Sequence, residues 1–242
     1  SLNIQLEFGL RMKTLFFEVL NTLVRLNNFE TEGAKLIRDE LNIRKPLEEL
    51  AAQFKKEWED KYNMLISKGV YRSLRQLARE TIISLLKKYS LSLSPAELDY
   101  FGNAISSLIV ETSELYPDVV DTIDKLSQMG VPMYVLTNLD NDVAKKILLR
   151  NNLLRYFKGV VSSDLTKVGK PAIKIFQAAL NRAGVTPNDA VIVSGLVEDV
   201  IGARFLDLKV IFVRRSDVQL PVKPFYEIST LAQLPEVVSK LD

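Results

Sequence analysis

The sequence lacks both cysteine and histidine. Without cysteine the chain has no disulfides, thiol nucleophiles or cysteine-ligated zinc sites. Without histidine it has no Ser–His–Asp triad, no imidazole base and no histidine-ligated metal. Any catalysis must therefore rely on carboxylates, lysine, arginine, hydroxyl groups or a hard metal ion bound by oxygen ligands.

The sequence also has little excess charge and no long apolar run. Its 32 basic and 30 acidic residues give a net charge of +2 and form no basic block typical of nucleic-acid-binding proteins. No apolar stretch reaches the ~18 residues of a membrane span, and no signal peptide is recognisable. We predict a cytoplasmic monomer or homodimer without a nucleic-acid or membrane partner. The missing cysteine and abundant charged residues suggest a thermophilic source, and the first dozen residues are interpreted as an extension outside the fold.

Short apolar runs alternate with amphipathic segments along most of the chain. Helices are predicted over 141–149, 171–183 and 197–205, and strands over 14–17, 131–136, 159–161, 190–193, 210–213 and 226–228. Such alternation predicts an α/β protein whose parallel sheet is covered by helices on both faces.

A block that is predicted to be helical throughout interrupts this pattern after the first strand. Glycine is scarce there, and Ser94-Pro95-Ala96-Glu97 is a capping box with proline at the first helical position. Four helices packed on one another are the simplest interpretation, with Trp58 and Tyr62 as packing or surface residues. The chain thus divides into a core domain, 13–27 and 115–242, and a cap domain, 28–114.

Four segments of the chain end at the edge of the predicted sheet where ligands bind in open parallel sheets. A lysine there offers a point charge to an anion, and backbone amides at loop-to-helix turns add donors. A carboxylate can attack as a nucleophile and form a covalent intermediate. The set therefore suits a small anionic substrate, and its members are Glu18, Thr22, Thr137, Asn138, Lys170, Ser194, Gly195 and Asp199.

The order and spacing of these segments resemble the four motifs of the haloacid dehalogenase superfamily. The matching stretches read FEVLNTL, VLTN, KVGKPAIKIF and VSGLVEDVIGAR. The resemblance covers about residues 13–241, with an insertion where that family places its helical cap. It implies a Rossmann-like three-layer core with a parallel sheet and an inserted α-helical bundle as a cap domain.

The resemblance also implies a role for each matching residue. Glu18 takes the nucleophile position, Lys170 the anion-stabilising position, and Thr22 and Thr137 complete the catalytic set. Asn138, Ser194 and Gly195 are assigned to substrate binding. Glu18, Asp199 and the Leu20 carbonyl could hold Mg²⁺ in a weakened site, to which Glu198 could add. Asp199 could equally be structural and hold Lys170 or the loop amides in place.

Several positions depart from the family's pattern. Glu18 replaces an aspartate, and a misplacement of about 1 Å can cost on the order of a hundredfold in rate. Leu20 and Ser194 stand where the phosphatases of the family carry a second aspartate and an acidic magnesium ligand. Both fit the dehalogenase branch, which works without metal. Phe176 and Leu196, however, replace a tyrosine and an asparagine of that branch.

Two classes of function remain open from the sequence. The leading hypothesis is a hydrolase acting on a phosphate monoester or a haloacid-type carboxylate through a carboxylate nucleophile. The alternative is a catalytically impaired relative that binds an anionic ligand or a protein partner without turnover. A third hypothesis is an interaction module that acts through an exposed apolar patch on the cap.

Overall fold

A six-stranded parallel sheet forms the centre of the molecule. The computed structural model describes residues 12–241. The strands follow the order β5-β4-β1-β6-β7-β8, and every pairing is parallel. Their bounds are Thr14–Phe17 (β1), Met133–Thr137 (β4), Val160–Ser162 (β5), Ala190–Ser194 (β6), Lys209–Val213 (β7) and Tyr226–Ile228 (β8).

Helices cover both faces of this sheet. Successive residues of a strand face opposite sides, so Phe17 belongs to the hydrophobic cluster of α5, α6 and α10, and Phe16 belongs to that of α8 and α9. The predicted three-layer α/β core is therefore confirmed. The helices of the core are Val119–Gln128 (α5), Asn141–Arg150 (α6), Ser163–Thr166 (α7), Ile173–Ala183 (α8), Val197–Ala203 (α9) and Leu234–Ser239 (α10).

Four helices form the inserted cap, as predicted. Each of the last two begins with a capping box, in which Ser73 pairs with Gln76 and Ser94 with Glu97. These reciprocal hydrogen bonds satisfy N–H groups that the first helical turn leaves unpaired. The cap helices are Phe29–Leu41 (α1), Leu47–Lys68 (α2), Leu74–Lys87 (α3) and Pro95–Glu111 (α4).

A two-stranded antiparallel ribbon joins the cap to the core. It pairs Val24–Leu26 (β2) with Ser113–Leu115 (β3), immediately before and after the four helices. The ribbon was not predicted, because three-residue strands are too short to show a periodic pattern. The domain boundaries at 27/28 and 114/115 stay predictions, and the two ribbon strands fall close to them.

The cap also contacts the core through charged groups. Both carboxylate oxygens of Asp140 accept a hydrogen bond from the backbone N–H of Leu74, at 3.1 Å each. Next to this contact, Arg75 of α3 forms an ion pair with Asp142 of α6 at 2.8 Å. The first turn of α3 is thus fixed to the first turn of α6, and the cap lies over the carboxyl ends of the strands.

Two expectations concern the periphery of the chain. Within residues 12–241 we find no helix whose length and hydropathy would let it cross a membrane. The extension predicted for the first dozen residues falls almost entirely on residues 1–11, which lie outside the described residues.

We expect Ser94→Ala to destabilise the cap by about 1 kcal/mol, the usual cost of losing an N-cap side chain. The hydroxyl of Ser94 accepts from the Glu97 N–H, and alanine has no acceptor to replace it. The free energy of unfolding is measured by titration with urea, with circular dichroism as the probe of helix content.

A matched control for this variant is Ser107→Ala, an exposed serine in the interior of the same helix. Alanine is favourable at such a position. Equal unfolding midpoints for the two variants would contradict the capping role of Ser94.

Candidate active site

The candidate site lies where three strands of the sheet end side by side. Strand β1 lies between β4 and β6, and in these pairings Phe17 lies opposite Val135 and Val193. The next residues along each strand therefore meet at one edge, where Glu18 follows β1 and Ser194 ends β6. Lys170 reaches the same point from the loop that precedes α8.

Glu18 is held by three hydrogen bonds at the bottom of this site. Its side chain is 1% exposed. Oε1 accepts from the Val19 N–H at 2.7 Å and from the Thr137 hydroxyl at 2.6 Å. Oε2 accepts from the Lys170 ammonium at 2.6 Å. Among the described residues Oε2 has this single donor, so a lone pair stays free for attack.

Lys170 bridges two buried carboxylates. Its Nζ lies 2.6 Å from Glu18 and 2.8 Å from Asp199, and all three side chains are at most 1% exposed. Burial lowers the pKa of the Lys170 ammonium, but the charges of Asp199 and Glu18 outweigh burial and the net pKa is raised. Burial raises the pKa of Asp199 to about 6. The Ser194 hydroxyl donates to Asp199 at 2.6 Å and completes the cluster.

Thr22 and Gly195 join the loops that follow β1 and β6. The Gly195 N–H donates to the Thr22 hydroxyl at 3.0 Å, and that hydroxyl donates to the Leu20 carbonyl at 3.1 Å. A Cβ atom on residue 195 would lie 1.9 Å from the carbonyl oxygen of Asn21, so only glycine permits this approach.

Asn138 fixes the backbone of Lys170. Its Oδ1 accepts from the Lys170 N–H at 2.7 Å, and its Nδ2 donates to the Lys170 carbonyl at 3.2 Å. This pair of hydrogen bonds fixes the position of the Lys170 backbone, and therefore the point from which its side chain extends toward Glu18. Every residue predicted for the site is therefore near the same crevice, and the roles assigned to each stay predictions.

A cavity of about 300 Å³ lies between cap and core above Glu18. Its wall is mainly apolar, and Arg25 and Glu30 bring opposite charges to it. From the sequence we interpreted Trp58 and Tyr62 as packing residues, and Arg25 was not predicted at all; all three line the cavity. The apolar lining consists of Leu20, Leu26, Trp58, Leu74, Ile109, Leu139 and Leu196.

The donor set at this site does not fit Mg²⁺. Magnesium requires near-octahedral oxygen ligands, and no group of three acidic side chains among residues 12–241 could hold a metal ion. The Lys170 ammonium already lies between the carboxylates of Glu18 and Asp199. Within the described residues, Asp199 Oδ1 is a buried oxygen without a hydrogen-bond partner, so it can accept from a water or another donor.

Comparison with known proteins identifies the relatives of this chain. The family model described as "haloacid dehalogenase-like hydrolase" matches residues 12–207. The (S)-2-haloacid dehalogenase 4A of Burkholderia cepacia is 28% identical over 71% of this chain and 70% of its own length. The N-acylneuraminate-9-phosphatase of Homo sapiens is 26% identical over 96% of each chain.

Two solved structures share the fold over nearly their whole length. The YfnB hydrolase of Bacillus subtilis, which was solved bound to magnesium, superposes with a TM-score of 0.79 at 22% identity, covering 95% of this chain and 99% of its own. The L-2-haloacid dehalogenase of Xanthobacter autotrophicus, with chloropropionic acid covalently bound, gives a TM-score of 0.74 at 18% identity, covering 96% and 100%. At these identities the likeness shows the fold and its helical cap.

We expect Lys170→Met to lower the free energy of unfolding by about 3–5 kcal/mol, because it leaves two buried carboxylates without their cation. The loss should be smaller at pH 5 than at pH 8. Burial has already raised the pKa of Asp199, so acid protonates this carboxylate and relieves the repulsion. Urea unfolding at both pH values measures the effect.

The matched control is Lys174→Met, an exposed lysine on the following helix. It should change stability little at either pH. A loss at Lys170 no larger than at Lys174 would contradict the bridging role.

Proposed function

Because this chain belongs to the haloacid dehalogenase-like hydrolases, we propose that it hydrolyses a small 2-substituted carboxylic acid of the haloacid type, with Glu18 as the nucleophile. One observation carries the proposal. The carboxylate of Glu18 is fixed at the base of an apolar cavity by Val19, Thr137 and Lys170, with a lone pair free on Oε2.

The proposed reaction has two steps. Glu18 Oε2 attacks the substrate carbon that bears the leaving group, and the halide departs with the electron pair of the broken bond. This forms an ester between Glu18 and the acid. Water then adds to Cδ of Glu18, and the Cδ–Oε2 bond breaks. Oε2 leaves as the hydroxyl oxygen of the 2-hydroxy acid and takes one proton of that water, while the oxygen of the water stays in the restored Glu18 carboxylate. Asp199 Oδ1 offers an acceptor for the second proton.

The contacts of Glu18 favour a carbon centre over a phosphoryl group. A phosphoryl oxygen would need anion donors, and Val19 N–H, the Thr137 hydroxyl and the Lys170 ammonium already donate to Glu18 itself. The carboxylate at the end of the glutamate side chain contacts all three donors. Leu20 adds an apolar wall at the position where the phosphatases of the family carry a second aspartate.

The substrate's own carboxylate needs a cation elsewhere in the cavity. Arg25 lines the cavity and belongs to the ribbon strand β2. Its side chain is 59% exposed, and its ion pair with Glu114 is long, at 3.5 Å. Such an exposed pair is worth little energy, so the guanidinium can turn toward a ligand at low cost. Arg25 is therefore the residue we assign to the carboxylate, and the alkyl group would lie against the apolar wall.

We further propose that this reaction needs no magnesium. Lys170 already supplies the positive charge between Glu18 and Asp199, and a weakly bound ion at Asp199 would not be required for turnover. The cytoplasmic location and the oligomeric state, monomer or homodimer, stay predictions.

The test is chloride release from (S)-2-chloropropionate by wild type, with and without EDTA. We expect turnover that EDTA leaves unchanged. Glu18→Gln should lose on the order of a thousandfold or more, as substitution of a covalent nucleophile does. Glu236→Gln, at an exposed site on α10, is the matched control and should retain the wild-type rate.

Two other outcomes would overturn this assignment. Hydrolysis of p-nitrophenyl phosphate that depends on magnesium, without chloride release, would make the protein a phosphatase. Binding of 2-chloropropionate or of p-nitrophenyl phosphate without turnover would favour the alternative of an impaired relative that binds an anionic ligand.

A further inference from the structure

A second, water-sized cavity adjoins the one above Glu18. It has a volume of about 30 Å³ and lies between the α2–α3 loop of the cap and the loop that carries Lys170. Tyr62, Leu74 and Asn138 line both cavities. These three side chains are therefore the wall that separates the two spaces, and Tyr62 contributes the largest of them.

The hydroxyl of Tyr62 is anchored to the core. It donates to Glu198 Oε1 at 2.8 Å, across the boundary between cap and core. Glu198 is 8% exposed and precedes Asp199 in α9. Burial raises the pKa of the Tyr62 phenol, as do the charges of Glu198 and Glu18. The phenol therefore stays protonated and keeps its role as the donor in this hydrogen bond.

The base of the Tyr62 side chain is fixed by the packing of α2. Trp58 lies four residues earlier, on the same face of this helix. Its ring packs edge-on against Phe29, with centroids 5.1 Å apart, and stacks on Phe54 at 6.1 Å. The helix thus cannot roll without breaking this cluster. Tyr62 is held both by its helix and by its hydroxyl, as a fixed partition must be.

We propose that Tyr62 is a specificity-determining residue whose ring closes one end of the substrate cavity and limits the length of the substrate's alkyl chain. The hydrogen bond to Glu198 holds the ring in this position. The substrate class rests on the proposed function, whereas the partition rests on the two cavities and their shared wall. An alkyl chain that extends toward this end of the cavity meets the ring, and a longer chain would need the volume of the ring together with the space behind it.

Three variants distinguish the effect of the Tyr62 ring from the effect of its hydrogen bond to Glu198. Tyr62→Ala joins the two cavities, and each methylene that is then buried should favour the longer substrate by about fourfold. Tyr62→Phe keeps the ring but loses the anchor, so its preference should lie between those of wild type and Tyr62→Ala. Glu198→Gln keeps an acceptor for the phenol and should leave the chain-length preference unchanged.

The first measurement is kcat/KM for 2-chloro acids of increasing chain length, from 2-chloropropionate to 2-chlorohexanoate. We expect the ratio of the six-carbon to the three-carbon acid to rise at least about tenfold in Tyr62→Ala, from burial of up to three methylenes. Tyr100→Ala, at a half-exposed tyrosine on α4, is the matched control. A role in stability alone would lower both rates together and leave the ratio constant.

The second measurement needs no turnover. Trp58 is the only tryptophan of the chain and lines the cavity, so its fluorescence reports binding of straight-chain alkanoates from propionate to hexanoate. A chain-length shift in Tyr62→Ala without dehalogenation by wild type would support the partition and overturn the proposed function. Dehalogenation with a ratio within twofold of wild type in both assays would overturn the partition alone. No binding and no turnover by any of the proteins would overturn both.

Discussion

The buried ammonium of Lys170 between Glu18 and Asp199 is the interaction on which the site depends. Moving an ion out of water costs several kcal/mol, and a close partner with good geometry must offset that cost. Here Nζ lies within 2.8 Å of both carboxylates. The loops that carry Glu18 and Lys170 and the first turn of α9 must therefore stay together, and Asn138, Thr22 and Gly195 hold them there. All three side chains are at most 1% exposed, and in such a buried setting each of these contacts is stronger than in water.

The replacement of aspartate by Glu18 links this cluster to the choice of substrate. The longer side chain reaches the Thr137 hydroxyl and the Val19 N–H while keeping its ion pair with Lys170. Groups that could bind a transferred phosphoryl instead donate to Glu18, the proposed nucleophile. A lysine between the carboxylates does not fit a divalent cation, and the mainly apolar cavity above offers a dianion, among the described residues, one cation, Arg25, in return for lost water. Substitution at carbon needs neither.

Much of the fold and the position of the residues at the strand ends could be predicted from sequence, for identifiable physical reasons. Buried parallel strands and capped helices leave local patterns, and residues at strand ends converge whatever the details of the loops. The sequence predicts that Glu18, Thr137, Lys170 and Asp199 meet at this edge, and the structure brings them into contact, while their roles stay predictions. The position of Arg25, Trp58 and Tyr62 at the cavity depends on how the cap packs against the core. No local sequence pattern predicts that packing. Trp58 and Tyr62 lie one turn apart on α2, and that spacing alone was equally consistent with packing.

Transfer of labelled oxygen to Glu18 tests the central claim most directly. One turnover of 2-chloropropionate in H₂¹⁸O, with enzyme in excess, is followed by proteolysis and mass spectrometry of the peptide that contains Glu18. The account predicts a gain of one ¹⁸O in the Glu18 side chain and an unlabelled hydroxyl in the 2-hydroxy acid, because water attacks Cδ of the ester. Label in the 2-hydroxy acid, with none in Glu18, would show that water attacks the substrate directly and would contradict a nucleophilic Glu18.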